Sequence, residues 1–266
     1  MTAPLVSPLA FPGAVGFTHL RVYDTPARDG IVGGSPHVHL ASVEAYLVTA
    51  GAGEVVTLSS AGEQRFELHQ GELIWFEPGV IHRLVNHDDQ LEILCVMQNS
   101  GLPEAGDALL TFPDEVLADR ARYERASTIS GATEDERLRA AMVRRDLAIE
   151  GFEAVRADMN TGSTEALVTL FGRAAMLAKH LIPSWKRLVK EGPSREVRAT
   201  SLRLAGLTIG DPAMFVGARV MRTRPGGDHV GVGMCGRLDA YRPEGIIVRG
   251  TGEADGPKRQ SPVSPF

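Results

Sequence analysis

Cysteine is scarce in this chain: only Cys95 and Cys235 occur in 266 residues. Two thiols cannot build a disulfide framework, and such sparing use suits a reducing cytoplasm. Aromatic residues are few as well, at 6%. No apolar run approaches the roughly 20 residues that a membrane helix needs, so no membrane partner is expected. An excess of positive charge is also missing. The formal net charge is -5, and no dense basic stripe stands out, which argues against a nucleic-acid surface. The first sixteen residues lack the basic start and apolar stretch of a signal peptide. No internal repeat is evident.

Turn-forming residues, by contrast, are plentiful, with 29 glycines and 16 prolines. Between Gly16 and Met97 they punctuate a series of short extended stretches: 16–24, 43–49, 54–59, 65–68, 73–76, 81–86 and 91–97. Many short strands with a turn between each indicate an antiparallel sandwich or barrel. After Gly101 the pattern changes to a helical period. Pro113-Asp114-Glu115 reads as a helix start, and Thr133-x-x-Glu136 fits a capping box. Leu138, Met142, Ile149, Phe152 and Met159 continue a helical stripe. A further helix is expected from about Ser163 to Pro183, then shorter ones over 185–190 and 195–207. Stretches 213–222, 230–235 and 246–249 read as strands. The expected organisation is therefore a β domain over 1–110, a helical segment over 111–210, a small β extension over 211–250 and a flexible tail over 251–266.

Chemistry concentrates in two neighbouring stretches. The first, His37 to Gly51, reads H-x-H-x4-E-x6-G; the second, Gly71 to Asn86, reads G-x6-P-G-x2-H-x3-N. Alternate residues of a strand share a face, so His37 and His39 point the same way. Glu44 and His82 come from separate extended stretches. Three imidazoles and one carboxylate suit Fe, Mn, Ni, Zn or Cu, where an all-carboxylate set would favour Mg or Ca.

These two stretches resemble the two motifs of the cupin superfamily, and the likeness covers about residues 16–100. It implies a mainly β fold, a double-stranded jelly-roll (cupin) barrel, with the helical segment and β extension behind it. It implies that His37, His39, Glu44 and His82 bind one divalent transition metal, most typically Fe, while Gly51, Gly71, Gly79 and Asn86 hold structural positions. Two turn positions depart from the family pattern. Ile31 stands where a glycine is usual, and Pro78 directly precedes Gly79. The resemblance implies a metal-dependent enzyme, either an Fe(II)-type oxygenase or a metal-assisted isomerase or lyase, acting on a small organic molecule. A non-catalytic small-molecule-binding or sensory protein is the alternative. Cupins commonly pair through their outer sheets, so a homodimer is implied.

Tyr46 shares the face of Glu44 and is the candidate catalytic group, able to donate a proton or to hydrogen-bond a substrate oxygen. Of Trp75 and Phe76, one should face the cavity and the other not. Glu72 and Arg83 read as surface or interface residues. Stretch 91–97 is apolar on both faces, which predicts burial on both sides, and Cys95 reads as a packed small residue. Asp228-His229 near Cys235 lacks the paired spacing of a second metal site. The arginines of 120–145 alternate with acids, unlike a DNA-recognition helix.

Overall fold

The computed structural model describes residues 10–99, 101–216, 218–225, 231–242 and 246–248. Its β part begins with β1 (Gly16–Val22), β2 (His37–His39), β3 (Glu44–Ala50), β4 (Ala52–Ser59) and β5 (Gly62–His69). It continues through β6 (Leu73–Phe76), β7 (Ile81–Asn86), β8 (Glu92–Met97) and β9 (Ala108–Leu110). Six helices follow: α1 (Asp114–Leu117), α2 (Arg120–Ser127), α3 (Glu134–Asn160), α4 (Glu165–Ala178), α5 (Ile182–Glu191) and α6 (Pro193–Thr208). Four short strands close the described chain: β10 (Val220–Arg222), β11 (Gly231–Val232), β12 (Gly236–Ala240) and β13 (Ile246–Val248).

The strands form two antiparallel sheets in the manner of a jelly roll. One has the order β11-β12-β1-β8-β3-β6 and the other β5-β4-β7-β2-β9, with β10 and β13 paired apart. The inner faces meet in a core of Leu20, Tyr46, Val48 and Ile93 from the first sheet and Val55, Leu68 and Leu84 from the second. Among the described residues the two sheets do not close into a hydrogen-bonded barrel; β5 and β6 are left as free edges.

The second sheet is buried on both faces. Every residue of β7 is buried. His82, Leu84 and Asn86 alternate with Ile81, Arg83 and Val85, so one set faces the sandwich. The other set joins a core with the helices, in which Val38, Val56 and Ile81 meet Phe152, Leu167 and Leu170. Burial on both faces was expected at 91–97; there the outward Leu94 and Val96 are only half-buried, because the helices cover the other sheet.

Helix α3 does the covering. Thr133 and Glu136 form the expected capping box at its start, satisfying two otherwise free N–H groups. At Gly151 the helix meets the chain that follows β9: a Cβ there would lie 2.2 Å from the Thr111 carbonyl oxygen. Two arginines of α3, Arg144 and Arg145, are buried. Arg145 donates to the carbonyls of Thr25, Pro26 and Gly33 at 2.9, 2.9 and 3.0 Å. Arg144 donates to the carbonyl of Gly233 at 2.6 Å. The loop that delivers the chain to β2 is thus held by a helix more than a hundred residues away.

The C-terminal strands differ most from expectation. Stretch 213–222 holds a short 3-10 turn, Pro212–Phe215, and only three strand residues. Strand β12, which the sequence pattern did not suggest, pairs with β1 along five residues from Thr18↔Ala240 to Val22↔Gly236. Its residues Gly-Arg-Leu-Asp-Ala carry little β-propensity, so pairing with β1 decides it. The 251–266 tail and Asp228-His229 lie outside the described residues.

Arg83 corrects another expectation. It is 2% exposed and forms a two-pronged pair with Asp29, at 2.5 and 3.2 Å. Burial works to raise the Asp29 pKa, but the guanidinium wins and holds it below its ordinary 3.8. Replacing Asp29 with Asn leaves a buried guanidinium without its anion and is expected to cost roughly 3 kcal/mol at pH 7, read by urea unfolding. A carboxyl with a lowered folded pKa stabilises fully above its unfolded pKa and loses that contribution as pH falls through the folded one. The gap between wild type and variant should therefore shrink in strong acid. A gap that stays constant from neutral pH to strong acid would contradict the pairing.

Candidate metal centre

The four sequence-predicted ligands arrive from three strands of two sheets. β2 brings His37 and His39, β7 brings His82, and β3 brings Glu44 across from the opposite sheet. His37 and His82 are direct register partners between β2 and β7. The second motif's glycine closes the corner: Gly79 has φ +91°, and its N–H donates to the His39 carbonyl at 2.9 Å. A residue with a Cβ is strained in that conformation. Gly51 serves a different turn, where a Cβ would sit 2.4 Å from the Gln90 backbone. Asn86 is no ligand. Its side chain accepts from the Leu91 N–H at 3.2 Å and fixes the β7–β8 turn.

One ligating atom from each of His37, His39, Glu44 and His82 lies within 4.8 Å of the others, and all four residues are buried. The outer nitrogen of each imidazole is occupied. Nδ1 of His37 donates to the Ser35 carbonyl at 3.0 Å, and Nδ1 of His82 to the Val80 carbonyl at 3.0 Å. Nδ1 of His39 donates to the Asp107 carboxylate at 3.1 Å. A carbonyl or carboxylate can only accept, so the proton sits on Nδ1 and Nε2 turns inward in all three rings. The inward atoms are crowded: Nε2 of His82 lies 3.2 Å from Nε2 of His37 and 3.0 Å from Glu44 Oε2. Nε2 of His39 is buried without a hydrogen-bond partner, 3.2 Å from the same carboxylate oxygen. Three imidazole nitrogens and a carboxylate converging on one buried point need positive charge among them, a proton or a metal ion, so the residues fit a metal.

The electrostatics agree. Burial and the neighbouring His82 and His39 hold the His37 pKa well below its ordinary value, keeping that ring neutral and ready to ligate. Burial also disfavours a charged His39, but Glu44 and Asp107 overcome it and raise the pKa to about 9. For Glu44, burial acts upward, yet His39 and His82 hold the carboxyl well below its ordinary range. The carboxylate is therefore ionised, and a metal would displace the proton that His39 otherwise keeps.

Tyr46 stands beside the ligands, its hydroxyl donating to Glu44 Oε2 at 3.1 Å. Burial and that carboxylate push its pKa well up, so the phenol keeps its proton. Of the adjacent aromatic pair, Phe76 faces inward and stacks on the His82 ring at 4.7 Å, while Trp75 is exposed. Cys95 is packed in the inner core.

Two neighbours were not legible beforehand. Asp107 is fully buried and accepts from the Leu40 and Ala41 N–H groups as well as from His39. It lies in the π-helical turn Pro103–Asp107, and no spacing links it to the histidines. Cys235 comes from the C-terminal stretch to within 3.8 Å of His37 Nδ1. Burial raises its pKa, so it is a thiol. In the sequence it is weighed only beside Asp228-His229, and no spacing ties it to His37.

Residues 29–97 match the family model described as the cupin domain. The chain carries a cupin domain. All four candidate ligands fall within the matched stretch, and Asp107 and Cys235 fall outside it. Among solved structures, the chain is similar to a cupin protein from Bacteroides fragilis, at 24% identity and TM-score 0.24, covering 33% of this chain and 65% of that one. A TDP-fucose-3,4-ketoisomerase from Campylobacter jejuni matches at 13% identity and TM-score 0.26, over 31% of this chain and 57% of that one. The DMSP lyase DddQ from Ruegeria pomeroyi matches at 18% identity and TM-score 0.25, over 33% and 38%. Each is matched over less than two thirds of its own length. No curated protein sequence matches the chain. No helix among the described residues is long and apolar enough to cross a membrane.

Proposed function

We propose that this is a metal-dependent cupin enzyme acting on a small organic molecule, of the Fe(II) oxygenase type or, as a close variant, a metal-assisted isomerase or lyase. The observation that carries the reading is the orientation of three histidines, each held through Nδ1, whose Nε2 atoms converge with the Glu44 carboxylate. Iron bound there would supply Lewis acidity and redox chemistry toward O2. The chain's own groups position and shield. Asp107 orients His39, the backbone carbonyls of Ser35 and Val80 orient the other two rings, and Phe76 packs over His82. Tyr46 holds Glu44 through a hydroxyl that can also meet a substrate oxygen.

An iron-loaded sample is expected to consume O2 with at least one member of a broad panel of small organic molecules, followed with an oxygen electrode. Turnover without O2 uptake would move the assignment to the isomerase or lyase variant. Steady silence together with ligand-induced thermal shifts would replace the enzyme by a binding module.

A further inference from the structure

Between the free edges β5 and β6 the two sheets part, and a cavity of about 370 Å³ opens there. A volume of this size suits a small molecule. Its floor adjoins the metal centre. Thr57 is the register partner of His82, the Val80 carbonyl holds the Nδ1 of that ring, and Phe76 stacks on it. Phe76 is therefore common to the pocket and to the ligand cluster.

The rim is apolar and wet. Phe66, Leu73 and Trp75 are 40%, 56% and 65% exposed. A tryptophan and a phenylalanine beside one cavity offer flat faces on which an aromatic ring stacks. The polar groups are sparse: Thr57, Ser59 and Gln64 can hydrogen-bond, and Glu77 alone carries charge. Among the described residues, the lining holds no Lys, Arg or His. The guanidinium of the adjacent Arg65 is taken up by Glu54 and Glu63. Short of the metal centre beyond Phe76, a phosphate or carboxylate would find no cation along this lining and would meet Glu77, so an anion is disfavoured there.

We infer that this pocket takes a flat, uncharged aromatic compound and discriminates against anionic ones. Its standing as a substrate site rests on the metal-enzyme reading, whereas the binding itself does not. The probes are therefore 2-naphthol and 2-naphthoate, alike in ring system but one uncharged and the other anionic at neutral pH. Titration calorimetry is run on the full chain, both after dialysis against EDTA and after loading with iron. In the EDTA-dialysed protein 2-naphthol should bind at one site per chain, and 2-naphthoate at least tenfold more weakly. Trp75→Ala should weaken 2-naphthol about tenfold, and Trp75→Phe should restore most of the loss. Trp75 is exposed on an edge strand, so both variants should fold, checked by far-UV CD.

Equal or tighter binding of the naphthoate would overturn the inference, as would a Trp75→Ala variant that binds 2-naphthol like wild type. Absence of binding would overturn it too. If that absence came with a dimer that Trp75→Ala dissociates, the rim would belong to a second copy of the chain. A protein that refuses metal yet shows the predicted naphthol pattern would keep the pocket and sink the metal reading, so the two failures are distinguishable.

Discussion

Replacing His39 and His82 together by alanine is expected to lower the bound transition metal from about one ion per chain to none, with far-UV CD close to wild type. The double variant removes two of three imidazoles and leaves His37 with Glu44, a pair too poor to retain a metal through dialysis. The fold should survive because the crowded cluster contributes little packing. Glu44 loses the two histidines that hold its charge and takes up a proton instead, so the sandwich core of Leu20, Val48, Leu84 and Ile93 still closes around the site. Metal content by plasma emission, beside CD and thermal melts, reads both sides. An unchanged metal content would refute the assignment of these ligands.

The second large effect is expected at Asp107. Asparagine keeps a carbonyl oxygen for the Leu40 and Ala41 N–H groups that the carboxylate now serves. What it removes is the negative charge on the far side of His39. A carboxylate behind a ligating imidazole fixes its orientation and raises its basicity, and losing it typically costs ten- to a hundredfold in metal affinity. Asp107→Asn is therefore expected to weaken metal binding by about tenfold or more, measured by competition with a chelator of known affinity. Asp107→Ala should add a stability loss of roughly 1 to 3 kcal/mol from the abandoned N–H groups. If Asp107→Asn bound metal as tightly as wild type, Asp107 would be a backbone clamp and nothing more.

The contrast between His82 and Asp107 shows what was legible in the sequence. His37 and His39 sit on one strand whose side-chain alternation is a local fact, and the resemblance of the two motifs to the cupin pattern added Glu44 and His82. Asp107 reaches His39 through a π-helical turn that tertiary packing creates, and no local pattern marks it. The same holds for Arg144 and Arg145. In the sequence they belong to a run of alternating charges, yet in the fold they tie α3 to loops at 25–33 and 233. Strand β12 exists because β1 offers a free edge, and its own residues carry almost no strand signal. Phe76 and Trp75 were recognisable as opposite faces of one strand. Which of them turned inward depended on the pairing of β6 with β3, where Phe76 lies opposite Glu44.

The helical region also gains a physical role. Through Gly151, Arg144 and Arg145 it covers the outer face of the sheet that bears His37, His39 and His82, and it holds the loop entering β2. Residues 111–208 thus back the metal centre without supplying a ligand to it.

The most direct test of the metal centre is elemental analysis of the wild-type protein purified without a chelating tag. The geometry predicts about one transition-metal ion per chain, retained through dialysis and lost only to a strong chelator. A protein that emerges metal-free and then refuses Fe, Mn, Ni and Zn would contradict it.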